Sequence, residues 1–421
     1  MKLRRYLMPL FTPLLLGAAL GTTAQAADKE PIRIAYIDPL SGPFANVGDL
    51  GFKHYAYLAD WVNDNGGIDG HKLEIVPMDN KNSPQESLVA LQRAADQGIN
   101  YVTQGLGSHV AGALISGVNK HNRRNPDNRI AYINYAAQNP KFYNELCSYW
   151  HIGLDANLEM KMNAITDYVA NSDDIEKVFF INQDYSYGQG WSRVGKRMLE
   201  EKAPDVEVVG DVLHPIGKVK DFSPYVSQIK SAGADAVITG NWGNDLTLLI
   251  KAGADAGLDV KYFTQAAGGL GAPTAIGQAG DDKVFLISTF YSDLPRETET
   301  PQWLTDFIQG FEERHAADNY YWYYTQMLWI VQMLEKAVEQ TGTTEPAPVI
   351  AAMEEMRHST PYGDVWIRNS DHQFLQPLYL SKYDDAAEVK LEGTEIGLSG
   401  VAEYPPKQTA VPTDCSMDRP E

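Results

Sequence analysis

Several short motifs in this chain combine residue types that hydrolases and nucleotide-binding enzymes use. Ser108 and His109 are adjacent and could act as nucleophile and base, but Leu106 occupies the position where a nucleophile elbow needs its first glycine. Gly105 begins a dinucleotide fingerprint, yet Val110 stands where its third glycine belongs. The sequence has no P-loop and no HExxH zinc motif. We therefore predict no enzyme activity, no cofactor and no metal, with a secreted hydrolase using Ser108 and His109 as an alternative.

The polar residues that remain gather in loops after predicted strands. These loops are rich in hydroxyl, amide, aromatic and glycine residues, and they cover 39–46, 105–109, 135–138, 184–187, 241–245 and 265–269. In parallel sheets ligands bind beyond the carboxyl ends of the strands, so we expect these loops to meet. Ser108 and Asp245 each begin a predicted helix; a helix N-terminus suits a carboxylate, and an acidic side chain suits an ammonium. This pairing is typical of a site for an amino-acid zwitterion.

Two successive runs of alternating strands and helices position these loops. In the first run, predicted strands at 32–38, 72–79, 100–104 and 130–134 alternate with helices that begin at 51, 84 and 110. In the second, strands at 178–182, 206–214, 234–240 and 261–265 alternate with helices at 188–202, 221–232 and 244–256. The repeated order predicts an α/β fold made of two doubly wound parallel-sheet lobes.

The order of elements changes after the second run. A predicted strand at 283–289 is followed by helices at 301–315, 319–340 and 346–357 and by short strands at 364–367 and 377–383. We expect these elements to complete an N-terminal lobe (27–151 with 284–367) and a C-terminal lobe (152–283 with 368–388), before a polar tail at 389–421. The aromatic run at 320–324 is more typical of a helix start under the lobe junction than of a ligand contact.

The first 26 residues are typical of a secretory signal peptide. Lys2, Arg4 and Arg5 form a basic start, an apolar stretch covers 6–20, and Ala24-Gln25-Ala26 fits the small-residue cleavage rule. The lack of a lipobox cysteine favours a periplasmic protein without stable membrane insertion. An uncleaved anchor and a start site placed too early are the alternatives.

Charge and length limit the partners and the number of domains. The formal charge is −20, and it becomes −23 after cleavage because the leader carries three basic residues and no acidic one. So acidic a chain argues against nucleic acid and anionic membranes as partners. Cleavage of 26 residues from 421 leaves 395, which is too long for one ordinary core and suits two domains.

Cys147 and Cys415 are the only cysteines in the chain. Export permits a disulfide, and free thiols are poorly tolerated in an oxidising compartment. We therefore predict a Cys147–Cys415 bridge, with two unpaired thiols as the alternative.

A family resemblance rests on five motifs, which are Leu40-Ser41-Gly42-Pro43, Asn65-Gly66-Gly67-Ile68-Asp69-Gly70, Tyr187-Gly188, Lys220-Asp221-Phe222 and Gly253-Ala254-Asp255-Ala256-Gly257. In the order and spacing of these motifs, the chain resembles the periplasmic binding proteins of the branched-chain amino acid transporter family. The resemblance implies two lobes joined by three crossings, capture of a small ligand by hinge closure, and delivery to an ABC transporter permease; we expect a monomer. Binders of amides, urea or aromatic acids, and ligand-sensing receptor modules, are the alternatives.

The resemblance also implies roles for individual residues. Ser108 would donate to the ligand carboxylate, and Asp245 would accept from the ammonium. The remaining ligand-binding candidates are Ala136 and Gln138 at the α-carbon groups, Tyr187 closing from the second lobe, Val47 and Trp242 around the ligand side chain, and Gln265 in the last loop. Branched-chain binders usually carry a hydroxyl residue at the position of Gln138, an aromatic at Val47 and glutamate at Asp245. These departures leave the ligand identity open.

Overall fold

Fifteen strands and thirteen α-helices make up the regular structure of the described residues. The computed structural model describes residues 29–269, 271–318 and 320–420; the predicted signal peptide lies outside them. The strands are β1 Lys29–Asp38, β2 His71–Asp79, β3 Tyr101–Gln104, β4 Ala131–Asn134, β5 His151–Gly153, β6 Lys177–Gln183, β7 Glu207–His214, β8 Ala236–Ile238, β9 Lys261–Thr264, β10 Val284–Ser288, β11 His358–Thr360, β12 Gly363–Ile367, β13 Phe374–Leu375, β14 Leu378–Asp384 and β15 Gly397–Tyr404. The helices are α1 Ala45–Asp64, α2 Pro84–Asp96, α3 Ser108–Arg124, α4 Leu158–Ala170, α5 Ser186–Lys202, α6 Ser223–Ala232, α7 Asn244–Asp255, α8 Ala272–Ile276, α9 Leu294–Glu297, α10 Gln302–Arg314, α11 Thr325–Thr341, α12 Pro346–Glu354 and α13 Pro406–Thr409.

The first run folds into a five-stranded parallel sheet in the order β2-β1-β3-β4-β5. Strands β3 and β4 are buried at every residue, as expected for parallel strands covered on both faces. Helix α2 begins where the sequence indicated, because Ser83 accepts a hydrogen bond from the Glu86 N–H and Pro84 occupies the first turn. The predicted doubly wound sheet is confirmed for this half of the chain.

The second sheet has seven strands in the order β15-β14-β10-β9-β8-β6-β7. Its five strands from β7 to β10 are parallel, whereas β14 and β15 are antiparallel to their neighbours. A smaller antiparallel sheet joins β11, β12 and β13. Helices α4 and α5 contribute apolar side chains to a core shared with β6, β8, β10 and β14. Among the helices of the described residues, none is both long enough and apolar enough to cross a bilayer.

Several predicted boundaries differ from the structure. The helix expected at 319–340 begins only at Thr325, and residues 320–324 are not helical. Five consecutive aromatic residues disfavour a helix here, because their side chains lose rotamer freedom against the preceding turn. The sequence reading also missed β5 and α4. Strand β5 has only three residues, and α4 buries eight of its thirteen residues, so its periodicity is weak.

The third group of elements differs in two further ways. Residues 284–367 were expected in the first lobe, but β10 lies between β9 and β14 in the second sheet. Its five residues are all buried, as a central strand requires. The tail expected from residue 389 contains β15, which pairs with β14 at the sheet edge and is partly exposed. The lobe boundaries themselves stay a prediction.

A disulfide joins Cys147 to Cys415, as predicted, and links positions 268 residues apart. The described chain beyond β15 therefore returns from the second sheet to the region that follows β4. We call residues 410–420 the C-terminal strap.

Polar contacts hold the C-terminal strap along its course. Thr413 donates from its hydroxyl to Asp371, with an oxygen–oxygen distance of 2.6 Å. Near the end of the strap, both terminal nitrogens of Arg419 contact the carboxylate of Glu354 on α12, at 2.9 and 2.8 Å. Such a two-pronged contact fixes direction as well as distance.

Replacing both cysteines by serine is expected to lower the free energy of unfolding by about 2–5 kcal/mol, because the unfolded chain regains the entropy that the long covalent loop removes. Urea unfolding of the oxidised protein and of the Cys147→Ser/Cys415→Ser variant measures the difference. The control is wild type under a reductant, which should resemble the variant. Equal unfolding midpoints for all three samples would contradict the prediction.

Candidate functional site

The carboxyl ends of strands from both large sheets border one cavity of about 80 Å³. Since roughly 10–15 Å³ of such space holds one water molecule, the cavity has room for a small solute. Loops after β3, β4 and β5 form one wall, and loops after β6, β8 and β9 form the other. The sheet order reverses beside β1 and β3 in the first sheet and beside β6 and β8 in the second. Ligand sites of open α/β sheets lie at such switch points.

Seven of the eight predicted ligand-binding residues line this cavity, namely Val47, Ser108, Ala136, Gln138, Tyr187, Trp242 and Gln265. The structure adds further lining residues, which are Gly105, Leu106, Gly107, Ala137, Asp155, Tyr185, Ala266, Tyr323 and Tyr324. Contact of any of these residues with a ligand stays a prediction.

Two helix N-termini point to the cavity from opposite walls. Gly107 is the N-cap of α3 and Tyr185 is the N-cap of α5; both line the cavity, and neither helix start is capped by a side chain. Gly107 has a φ of +92°, a backbone conformation that favours glycine. The first N–H groups of a helix lack intrahelical partners and carry partial positive charge. This arrangement suits an anionic ligand group.

A chain of amide and hydroxyl contacts joins the two walls. Gln138, after β4, donates from Nε2 to Oε1 of Gln265, after β9, over 2.9 Å. The Tyr187 hydroxyl, on α5, donates to Oε1 of Gln138 over 3.1 Å. Gln138 and Gln265 therefore meet as partners from different sheets, directly beside the space for a ligand.

A buried ion pair lies at one end of this chain. Asp155, between β5 and α4, accepts from Lys161 Nζ at 2.8 Å and from Gln138 Nε2 at 2.6 Å. The two charged side chains are only 9% and 3% exposed. Burial raises the pKa of Asp155 and lowers the pKa of Lys161 from their ordinary values, and the contact between them opposes both shifts. Asp155 is thus the carboxylate of the cavity lining, with Lys161 directly behind it.

A second buried acid supports the first wall from beneath. Asp38, at the end of β1, is fully buried and accepts from the N–H groups of Gly105 and Leu106 at 3.0 and 3.1 Å. The Tyr135 hydroxyl lies 2.7 Å from Asp38, and the Tyr36 hydroxyl lies 2.9 Å from that of Tyr135. Asp38 therefore holds the loop that leads into α3.

Burial raises the pKa of Asp38 from 3.8 to about 7, although its hydrogen bonds act in the opposite direction. Tyr36 also donates to the Gly48 carbonyl over 2.7 Å, so a chain of contacts runs from Asp38 through Tyr135 and Tyr36 to Gly48.

Aromatic rings enclose the rest of the cavity. Trp242, after β8, donates from its indole nitrogen to the Tyr185 hydroxyl over 2.9 Å and packs against Phe44 with 4.5 Å between ring centroids. Tyr323 and Tyr324, from the aromatic run, also line the cavity. The sequence had favoured a packing role for this run, but two of its rings border the cavity.

Asp245 does not line the cavity, contrary to the expected arrangement. Its side chain is buried, and one oxygen accepts from the Gly217 N–H at 2.7 Å and from Gln183 Nε2 at 2.8 Å. A short acidic side chain in the first turn of α7 reaches these neighbours within its own sheet. The sequence did not identify Asp155, because it follows the unpredicted strand β5 and lies in no motif.

Ser108 and His109 are adjacent in sequence, but their side chains lie in different surroundings. Ser108 is buried at the cavity, whereas His109 is exposed and its Nε2 lies 3.1 Å from the Asn82 carbonyl oxygen. A base for a serine nucleophile must be within hydrogen-bond reach of its hydroxyl. The contact with Asn82 gives the His109 ring a structural function instead.

Comparison with known proteins places the chain in a family. A family model described as "Periplasmic binding protein" matches residues 31–388. The chain belongs to this family. Leu/Ile/Val-binding protein homolog 4 of Brucella abortus is 30% identical to this periplasmic binding protein over 408 residues, covering 94% of this chain and 95% of the relative.

Solved structures agree with this assignment. A leucine-, isoleucine-, valine-, threonine- and alanine-binding protein from Brucella ovis, in a closed conformation, is 28% identical, with a TM-score of 0.82 and coverage of 93% of this chain and all of that one. A solute-binding protein of an ABC transporter from R. palustris, in complex with benzoate, is 20% identical, with a TM-score of 0.71 and coverage of 88% and 98%. This more distant likeness concerns the fold alone. The fold class of the binding protein is thus confirmed.

The pKa of Asp38 gives a pH-dependent stability. Between about pH 4 and pH 7 the folded protein keeps a proton that the unfolded chain has released, so the free energy of unfolding falls as pH rises through this window. The contribution is up to about 4 kcal/mol, and Asp38→Asn should abolish it. Urea unfolding of both proteins from pH 4 to 8 measures the two slopes.

Asp79→Asn is the control for this experiment. The pKa of Asp79 is lowered, since contacts with Ser41, Lys81 and Leu40 outweigh its partial burial. Its contribution to stability is therefore present above its ordinary pKa and lost as pH falls, the opposite sign to Asp38. Parallel pH profiles for wild type and Asp38→Asn would refute the assignment to Asp38.

Proposed function

We propose that this binding protein captures a small α-amino acid of branched-chain size in the cavity and delivers it to an ABC importer. The observation that supports this proposal most directly is that the N-terminus of α3, with Ser108, and the carboxylate of Asp155 border the same small cavity. A carboxylate is stabilised at the helix N-terminus, and an ammonium is stabilised by an acidic side chain. Asp155 replaces Asp245 in the second role, because Asp245 is engaged by Gly217 and Gln183.

Hinge closure would complete the site. Tyr187 and Gln265 come from the second sheet and contact Gln138 of the first, so separation of the sheets would break these hydrogen bonds and admit water. A ligand that touches both walls favours the closed state by its additional contacts. The importer would then recognise the closed form.

The proposal includes export to the periplasm. The basic, apolar and small-residue segments of 1–26 fit a cleaved leader, which gives Ala27 as the first mature residue. N-terminal sequencing of protein released by osmotic shock reads that residue. Loss of high-affinity uptake of the bound solute in cells without this chain tests the link to an importer.

Isothermal titration of ligand-stripped protein tests the solute class. We expect an aliphatic α-amino acid such as leucine or valine to bind with a Kd of about 10 μM or tighter. The panel includes amides, urea and benzoates. The five rings of Tyr185, Tyr187, Trp242, Tyr323 and Tyr324 give a specific reason to include aromatic acids. Binding of benzoates with no amino acid bound would replace this proposal by an aromatic-acid binder.

Two matched carboxylate variants test the ammonium site. Asp155→Asn should weaken amino-acid binding by about tenfold or more, because a charged partner of the ammonium is lost. Asp245→Asn should change the affinity by less than about threefold, since Asp245 does not line the cavity.

The same acid without its amino group is the control ligand for these variants. Its affinity should be nearly unchanged by Asp155→Asn but reduced by Ser108→Ala, because only the carboxylate end remains. If Asp245→Asn weakened amino-acid binding more than Asp155→Asn did, the ammonium would have to be reassigned to Asp245. Titration calorimetry of the three variants with both ligands gives the answer.

A further inference from the structure

Lys161 has an unusual position for a lysine. It lies on α4 outside the cavity lining, and its side chain is 3% exposed. Lysines are rarely buried unless they are paired. Its Nζ lies 2.8 Å from Asp155 and 3.3 Å from Oε1 of Gln265. Lys161 therefore contacts two lining residues, one that follows the first sheet and one that follows a strand of the second.

The chemistry of the ammonium group sets the orientation of the Gln265 amide. A lysine ammonium has only donors, so the atom that it meets on Gln265 is the oxygen. Nε2 of Gln138 donates to the same oxygen. The Gln265 nitrogen is thereby directed away from Lys161, and no acceptor within the described residues is bonded to it. Because Gln265 lines the cavity, this nitrogen is a hydrogen-bond donor for a ligand.

Asp155 determines the orientation of the Gln138 amide in the same way. An ionised carboxylate only accepts, so Gln138 turns its nitrogen to Asp155 and its oxygen to the Tyr187 hydroxyl. Lys161 balances the charge of Asp155, which leaves this wall without formal net charge. The ion pair thus determines which way the side-chain amides of Gln138 and Gln265 are turned.

We propose that Lys161 is a specificity-determining positioning residue, which holds the Gln265 amide nitrogen toward the cavity and selects an amino acid whose side chain carries an oxygen acceptor. The inference rests on the proposed function and refines its ligand class. A purely aliphatic side chain would cover this N–H without offering it a partner, and sites built to hydrogen-bond a group discriminate against ligands that lack it.

An isosteric ligand pair tests the inference. Leucine is compared with its analogue in which a ketone oxygen replaces one terminal methyl group, so that size is kept and only an acceptor is added. Wild type should bind the ketone about fivefold or more tightly than leucine. The ratio of the two Kd values is the readout, because a merely structural defect would weaken both ligands alike.

The variant Asp155→Asn/Lys161→Met removes both charges together and avoids an unpaired buried carboxylate. It should lose the preference for the ketone, since the Gln265 amide is then free to reverse. Gln265→Met keeps the ion pair and should also lose the preference for the ketone. This variant provides a test if the double variant does not fold. Lys196→Met, at an exposed ion pair with Asp211, is the control and should retain the preference.

The results that would overturn the proposed function differ from those that would overturn this inference alone. Binding of neither amino acid by wild type overturns the proposed function and this inference with it. Binding of leucine as tightly as the ketone, with amino-acid binding intact, overturns the inference alone. An undiminished preference in either the double variant or Gln265→Met also overturns it.

Discussion

The buried ion pair between Asp155 and Lys161 is the interaction on which the geometry of the cavity depends. Two charges with so little exposure are stable only when they are close to each other and to further hydrogen-bonding groups, and here Gln138 and Gln265 are those groups. The pair lies where the chain passes from the five-stranded sheet to the helix that packs on the seven-stranded sheet. The same contacts therefore connect the two halves of the molecule and determine which polar atoms the cavity presents.

Asp38 is a second buried acid, and it supports another part of the same wall from beneath. Its carboxyl group contacts the loop before α3, and the tyrosine contacts behind it end at the Gly48 carbonyl of α1. The helix terminus with Ser108 is thus fixed from below by a group whose charge is costly to bury. The same plan holds in both places: residues that a ligand could touch are oriented by Asp38 and Lys161, which lie outside the cavity lining.

Much of this arrangement follows from local sequence. Continuous apolar strands predicted the parallel strands of both sheets, and the Ser83 cap predicted the start of α2. The switch-point rule predicted that Ser108, Tyr187 and Gln265 lie at one site. Asp155 could not be predicted, because it follows a strand of three residues that no periodicity reveals. Asp245 lies outside the cavity lining, where it accepts hydrogen bonds from Gly217 and Gln183, two residues distant in sequence. Its sequence context at the start of α7 does not reveal these contacts, so its place outside the cavity lining could not be predicted.

The bridge between Cys147 and Cys415 closes a covalent ring that contains the whole seven-stranded sheet and every passage between the sheets. A single peptide cut within that ring produces two fragments that stay joined through sulfur. Proteolysis of an exposed loop between these positions would therefore nick the protein without releasing either half. Such a nicked molecule would run as one species until its disulfide was reduced.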